Sequence, residues 1–212
     1  MSAVPIRNMG IASAQDRPRL HDATNTRMTY QIDPAASRVE FTIGKRLFFV
    51  THLLVTGRFA DVQGTISLDE QDPASAQAEV MIGAASVDTR MSKRDQHLRK
   101  ADFFDVARHP TLTFTSRRIE TIDRRAGHYR VVGDLTVRGV TREVQLDATT
   151  YIPAARDGSG RRIKLTLTGA LNRREFGMVW NNPLLTIPDD LTVTLQIEAT
   201  AAQAAVTLVQ CE

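Results

Sequence analysis

The sequence predicts an all-β fold, an antiparallel β-barrel of about eight strands with a short helix between strands. Three observations carry this. Apolar and polar residues alternate with a period of two from Tyr30 almost to the end of the chain. Short turn signals separate the alternating runs. The period breaks in one place, residues 92–109, where Leu98, Ala101 and Phe104 recur at helical spacing. A sheet of this many strands leaves two long edges unless it curls closed, so short connections and closure together favour an up-and-down barrel.

Residues 1–27 are mixed in polarity, carry no periodic pattern and read as a tail, as do residues 202–212; the domain is expected over 28–201. "SRVEFTI" places Val39, Phe41 and Ile43 on one face, and "GTISLD" does the same for Ile66 and Leu68. "AEVMIGAASV" sets Ala78, Val80, Ile82 and Ala84 opposite Glu79, Met81 and Gly83. "TLTFTSRRI" alternates Leu112 and Phe114 with threonines, and "YRVVGDLTV" aligns Tyr129, Val131, Gly133, Leu135 and Val137. "REVQLDATTY" offers Val144, Leu146 and Ala148, "RIKLTLTGAL" Ile163, Leu165, Leu167, Gly169 and Leu171, and "LTVTLQIEA" Leu191, Val193, Leu195, Ile197 and Ala199. "DEQDPAS", "DRRAGH", "VRGVTR" and "ARDGSG" read as hairpin connections. In the aperiodic stretch, Ser92 and Asp95 have the spacing of a capping box, and Pro110 ends the helix before His109.

Composition narrows the function. A chain with 42% hydrophobic and 24% charged residues is an ordinary globular protein, which excludes disordered and fibrous classes. The net charge of +3 comes with arginine pairs scattered at 117–118, 124–125, 161–162 and 173–174, which argues against a nucleic-acid partner. Cys211 is the only cysteine, so neither an internal disulfide nor a thiolate metal site is available. The first 27 residues hold no apolar run of secretory length, and no segment has 18 uninterrupted apolar residues, so no transmembrane span and a cytoplasmic location are expected.

An eight-stranded barrel is wide enough either to be filled by side chains or to hold one slender ligand. Phe41, Phe59, Ile82, Phe114, Leu135 and Leu165 are the candidates to line a channel, with Gly133 and Gly169 leaving room. Pattern alone leaves a fully packed core open as the alternative. Phe103 and Phe104 are placed over the barrel mouth, with ordinary helix-to-barrel packing as the bland reading. His52 and His97 are candidates to meet a polar head group, or else structural histidines. The stretch "NRREFGMVWNNPLLTIPDD" reads as a strand end followed by a long loop that serves as a lid. There Arg173 and Arg174 are candidates to pair with a phosphate or pyrophosphate, Trp180 to cover an apolar entrance, and Phe176 is a further candidate ligand contact; solvated charges and a packed indole are the alternative.

No nucleophile elbow, zinc helix or phosphate loop occurs. On the expected helix Asp95 with Asp102, and Asp102 with Asp105, share a face while His97 points elsewhere, so no metal site is expected. No catalytic residue and no cofactor are assigned. A binding barrel is expected. A small isomerase or cyclase acting on a hydrophobic substrate, or an interaction module with a filled barrel, are the alternatives.

"YQIDPAASRVEFTI", "GRFADVQGTI", "RDQHLRKADFFDVARHPTLTFTS", "GDLTVRGVTREVQL" and "NRREFGM" occur in the order typical of the YceI-like family, also called polyisoprenoid-binding-like proteins. The chain resembles that family over about residues 29 to 200, and the third block is the most specific. The resemblance implies a lipocalin-like barrel whose elongated apolar interior binds a long-chain isoprenoid or quinone-type lipid for sequestration or transport, often as a homodimer. The chain departs from the pattern in the apolar, longer segment "GKRLFFVTHLLVTGRF" and in lacking the export signal common in the family.

Overall fold

A computed structural model describes residues 27–47, 51–152, 161–180 and 185–202, with backbone only at 45–47, 51–52 and 185–186. The strands are β1 (Arg27–Ile32), β2 (Arg38–Leu47), β3 (Thr51–Phe59), β4 (Val62–Asp69), β5 (Gln77–Gly83) and β6 (Val87–Asp88). The helix α1 (Ser92–Leu98) follows, then β7 (Thr111–Asp123), β8 (His128–Val137), β9 (Val140–Tyr151), β10 (Arg162–Asn172), β11 (Leu185–Thr186) and β12 (Asp190–Ala201). The expected tails lie outside the described residues except at their inner margins. Arg27 already pairs with Asp69, and the Ala202 amide donates to the Thr29 carbonyl at 2.8 Å.

Eight walls close the barrel because three of them are interrupted strands. β1 and β2 run the same way along β12, β1 against its C-terminal end and β2 against Thr192–Gln196. β3 and β4 form the next wall, paired with β2 and β1 respectively, and β6 and β5 form the third, paired with β3 and β4. From there β7, β8, β9, β10 and β12 follow in chain order, each antiparallel to the last, and β12 returns to β1 and β2. The up-and-down, closed order is the expected one. The alternating runs named eight strands but passed over β1, β3 and the two-residue β6 and β11.

The interruptions are satisfied by serines. Ser37 Oγ accepts from the Glu198 amide at 3.1 Å and donates to its carbonyl at 3.2 Å, so the break between β1 and β2 stays sewn to β12. Ser86 Oγ accepts from the amides of Ala60 and Asp61 at 3.2 and 3.1 Å, which does the same between β3 and β4. The Ser37 bonds are part-buried and the Ser86 bonds exposed, and in both places the hydroxyl replaces a missing ladder partner. β8 and β9 are joined by Arg138 and Gly139, at φ 53° and 74°, a two-residue turn of the handedness that matches strand twist.

The helix is shorter than expected. It ends at Leu98, and residues 99–110 continue as turns, so Ala101 and Phe104 are not on it. The capping box does not form: Met91 occupies the N-cap, and the Asp95 carboxylate instead accepts from the Thr89 amide at 2.9 Å and from its hydroxyl. Asp95 is thus a buried clasp between α1 and Thr89, the residue just after β6, and Asp105, also buried, pairs with Arg108 at 2.7 Å. The predicted sharing of a helix face by Asp95, Asp102 and Asp105 fails for the same reason, because two of the three are off the helix.

Candidate functional site

Inward-facing residues of all eight walls border a cavity of about 930 Å³. This lies toward the upper end of the roughly 300–1,000 Å³ typical of ligand sites. The packed-core alternative, and with it the filled-barrel module, is therefore overturned. The lining runs from the hairpin end, at Glu70, Arg124 and Thr150, to the end that carries α1, at His97, Phe103 and Trp180. A 12-residue strand such as β9, at about 3.3 Å per residue and a tilt of about 40°, gives a length of roughly 30 Å, so the hollow is a slender tunnel.

Between the two ends the wall is apolar. Val131, Leu135, Leu146, Leu165, Val193 and Ile197 face the lumen. The charged or imidazole groups that touch it are Glu70, Arg124 and Arg125 at the hairpin end, Lys93, Arg94, His97 and Arg173 at the helix end, and Glu40 on β2.

Glycines in the wall explain part of why the lumen is not filled. A Cβ on Gly57 would stand 2.3 Å from Cζ of Phe41, and one on Gly133 would stand 2.6 Å from Cζ of Phe114. Both rings therefore lie over a glycine, against the wall. The expected role of Gly133 in leaving room is realised in this indirect way.

Of the expected channel residues, Phe41, Phe59, Ile82, Phe114, Leu135 and Leu165 all line the tunnel. At the helix end Phe103 and Phe104 part company. Phe103, His97 and Trp180 form one cluster, with the His97 ring edge-on to both others at centroid distances of 5.0 and 5.2 Å. Phe104 packs edge-on against Phe59 at 5.4 Å, and Phe59 meets Phe41 at 5.9 Å with the rings tilted by 47°. Phe176 is buried and belongs to the same floor. His97 Nε2 meets Asp102 Oδ2 at 3.0 Å, a contact that the expected continuous helix had ruled out. His52 lies in β3 opposite Arg46, and its side chain is outside the described residues.

The two arginines do not form an anion site. Arg173 is buried, and its guanidinium donates to the carbonyls of Pro188 (3.0 Å), Met178 (2.5 Å), Trp180 (3.2 Å) and Ile187 (3.2 Å) and forms an ion pair with Asp189 Oδ1 (2.8 Å). These contacts engage all three nitrogens of the guanidinium. Arg174 does not line the tunnel and pairs with the same carboxylate oxygen at 2.8 Å. The expected pairing with a phosphate is replaced by fastening of the segment that covers the helix end. Arg138 helps, bridging the carbonyls of Gly177 (2.6 Å) and Ala101 (2.8 Å).

Sequence reasoning also missed a polar group at the hairpin end. Tyr30 is fully buried and its hydroxyl donates to Glu70 Oε1 at 3.2 Å, while Arg161 pairs with the other oxygen. Burial, followed by the Glu70 charge and hydrogen bond, raises the Tyr30 hydroxyl above its ordinary value, and Arg161 opposes this. No local signal joins residues 30, 70 and 161. Only closure of the barrel brings them together. Among the described residues no group of three or more His, Cys, Asp or Glu side chains is placed to hold a metal ion.

A family model for the YceI-like domain matches residues 30–199. Protein YceI of Escherichia coli O157:H7 is 35% identical over 122 residues, 58% of this chain and 62% of that protein. A UPF0312 protein of Pectobacterium atrosepticum is 42% identical over 92 residues, 43% of this chain and 46% of that one. The chain thus spans about three fifths or less of the length of these curated relatives. Among solved structures, the Campylobacter jejuni YCEI protein superposes with a TM-score of 0.62 at 29% identity, covering 70% of this chain and 85% of that one. Burkholderia cenocepacia BcnA gives 0.65 at 21% identity, over 80% and 99% of the two chains. A polyisoprenoid binding domain from Saccharophagus degradans gives 0.58 at 20%, over 82% and 99%. At those last two identities the likeness is one of fold. A family match over most of the barrel, joined to the closed antiparallel architecture, makes this chain a member of the YceI-like domain family.

Proposed function

We propose that the protein is a binding protein that takes a long-chain isoprenoid or quinone-type lipid into the barrel tunnel, to sequester or carry it. The observation that carries this reading is an apolar hollow about as long as the barrel. Every 100 Å² of chain surface withdrawn from water contributes about 2.5 kcal/mol before ordering costs, so such a lumen needs no polar contact along its middle to bind a greasy chain. The polyisoprenoid binding domain of similar fold supports the ligand class by analogy. An isomerase or cyclase would need an acid or base within reach of a reacting carbon, and the charged lining groups gather mainly near the two ends.

Organic extraction of gently purified protein, followed by mass spectrometry, tests the proposal. A long apolar lipid in stoichiometric amount is expected. Recovery of a short polar metabolite alone, together with failure to take up added polyprenol or ubiquinone, overturns it.

A further inference from the structure

We infer that the helix-end mouth of the tunnel docks on an anionic lipid surface, with Leu53, Leu54 and Met91 entering the bilayer interface among the cations of the α1 segment. The role of this contact as the portal through which ligand enters rests on the lipid-binding reading above; the docking itself rests on geometry and charge.

The β2–β3 hairpin runs on past its pairing with the barrel. β2 pairs with β12 over 38–42 and with the two-residue β11 at Arg46 and Leu47, and β3 pairs with β6 only at Arg58 and Phe59, whereas the two strands pair with each other as far as Leu47 and Thr51. On the projecting part Leu53 is 42% and Leu54 79% exposed, and across the mouth on the α1 side Met91 is 56% exposed. Ile43, Val55, Met91 and Lys93 all border the tunnel, and the last two are exposed, so the lumen reaches solvent between hairpin and helix.

Charge around this mouth is predominantly positive, with Asp102 held against His97 at 3.0 Å and Glu40 bordering the tunnel on β2. Residues 88–100 contain Arg90, Lys93, Arg94, Arg99 and Lys100 against Asp88 and Asp95. Asp95 is buried and Asp88 pairs with Arg58 at 2.9 Å. Arg94 donates to the Thr89 carbonyl and hydroxyl, and Arg99 to the carbonyls of Ala85 and Val87, so neither charge is neutralised by these bonds. The hairpin end also exposes apolar groups, Ile122, Tyr151 and Ile152. Its arginines, at 27, 124, 125, 161 and 162, however, stand among Asp69, Glu70, Asp72 and Asp123. Exposed aliphatic groups set among uncompensated cations match the interfacial and anionic layers of a membrane, and an apolar ligand entering there never crosses water.

The test is co-sedimentation of the full chain with vesicles of phosphatidylglycerol and phosphatidylcholine in equal parts, against phosphatidylcholine alone. Binding to the anionic vesicles is expected, with a loss of about tenfold in 0.5 M salt. Leu54→Asp and Lys93→Glu should each lose about tenfold, while Ile122→Asp at the opposite end binds like the parent. Unfolded Leu54→Asp protein would leave Lys93→Glu to decide. No binding, equal binding to both vesicles, or loss on Ile122→Asp alone overturns the inference. So does a dimer that Leu54→Asp converts to monomer with vesicle binding unchanged, which would give this surface to a second copy of the chain. Lipid extraction from the Leu54→Asp variant keeps the two readings apart: lipid retained with vesicle binding lost supports both, and vesicle binding with no lipid in any variant sinks only the container.

Discussion

The Phe41 ring lies against Gly57, its register partner across β2 and β3, so closely that a Cβ at residue 57 would fall 2.3 Å from the ring's Cζ. Phe114 on β7 also lies over a glycine, Gly133 on β8, but diagonally: its own register partner is Leu135, and a Cβ at residue 133 would fall 2.6 Å from its Cζ. At these two positions a large inward side chain and an open lumen are compatible because the wall beneath the ring has no side chain, which is part of what keeps the tunnel unfilled.

Gly57→Val should therefore swing Phe41 into the tunnel. The expected result is a folded protein destabilised by about 1–3 kcal/mol, the usual range for overpacking, with bound lipid strongly reduced. Chemical denaturation and extraction of the purified variant check both parts. Unchanged lipid content with the same loss of stability would show that the ring was accommodated elsewhere.

Ala148 on β9 faces the lumen opposite Tyr129 and Leu167. In a filled core Ala148→Phe would cost about 1–3 kcal/mol. In an open tunnel the new ring enters empty space, so stability should stay within about 1 kcal/mol of the parent while ligand uptake falls. Trp180 is the only tryptophan and borders the tunnel, so its emission during titration with polyprenol or ubiquinone follows uptake directly. A flat titration in the variant beside a saturable one in the parent is the expected pair of results.

The barrel was legible because period-two patterning states both strand identity and the buried face, and Val39, Leu112, Val131 and Leu195 all turn inward where the alternation puts them. β3 was missed because its apolar residues are not confined to one face: Leu54 points away from the lumen-facing set of Val55 and Phe59. The helix end was misread where tertiary hydrogen bonds outweigh local spacing. Asp95 has the position of a capping partner but finds Thr89, and Arg173 has the look of a solvated cation but finds carbonyls 5 to 15 residues away in sequence. Tyr30, Glu70 and Arg161 are joined only by closure, which no local window contains.

Arg173 accordingly should behave as a structural residue. Arg173→Lys keeps the charge but replaces five forked donors with three on a compact head, leaving several of the four carbonyls and Asp189 without a partner. A loss of about 2–4 kcal/mol is expected, with Trp180 emission shifting to longer wavelength as its segment loosens. Arg174→Ala, which removes a half-exposed ion pair, should change stability by less than about 1 kcal/mol. Equal effects of the two substitutions in urea denaturation would refute the assignment.

Tyr30 predicts the direction of alkaline behaviour. Its hydroxyl is raised above the ordinary 10.0 by burial and by Glu70. Below pH 10 the hydroxyl is protonated in folded and unfolded chains alike, and the stabilising contact with Glu70 is fully present. As pH climbs past 10.0 the unfolded chain releases its proton while the folded chain retains it, so the unfolded state gains and stability declines until the folded value is passed. Tyr30→Phe should cost about 1 kcal/mol near neutrality, since Glu70 keeps Arg161 as a partner, and should remove this residue's share of the decline. The difference in unfolding free energy between parent and variant, followed in urea from about pH 8 to 11, should therefore shrink as pH rises. A difference that stays constant would mean that the hydroxyl ionises as readily in the folded chain as in the unfolded one, and one that widens that it ionises more readily there.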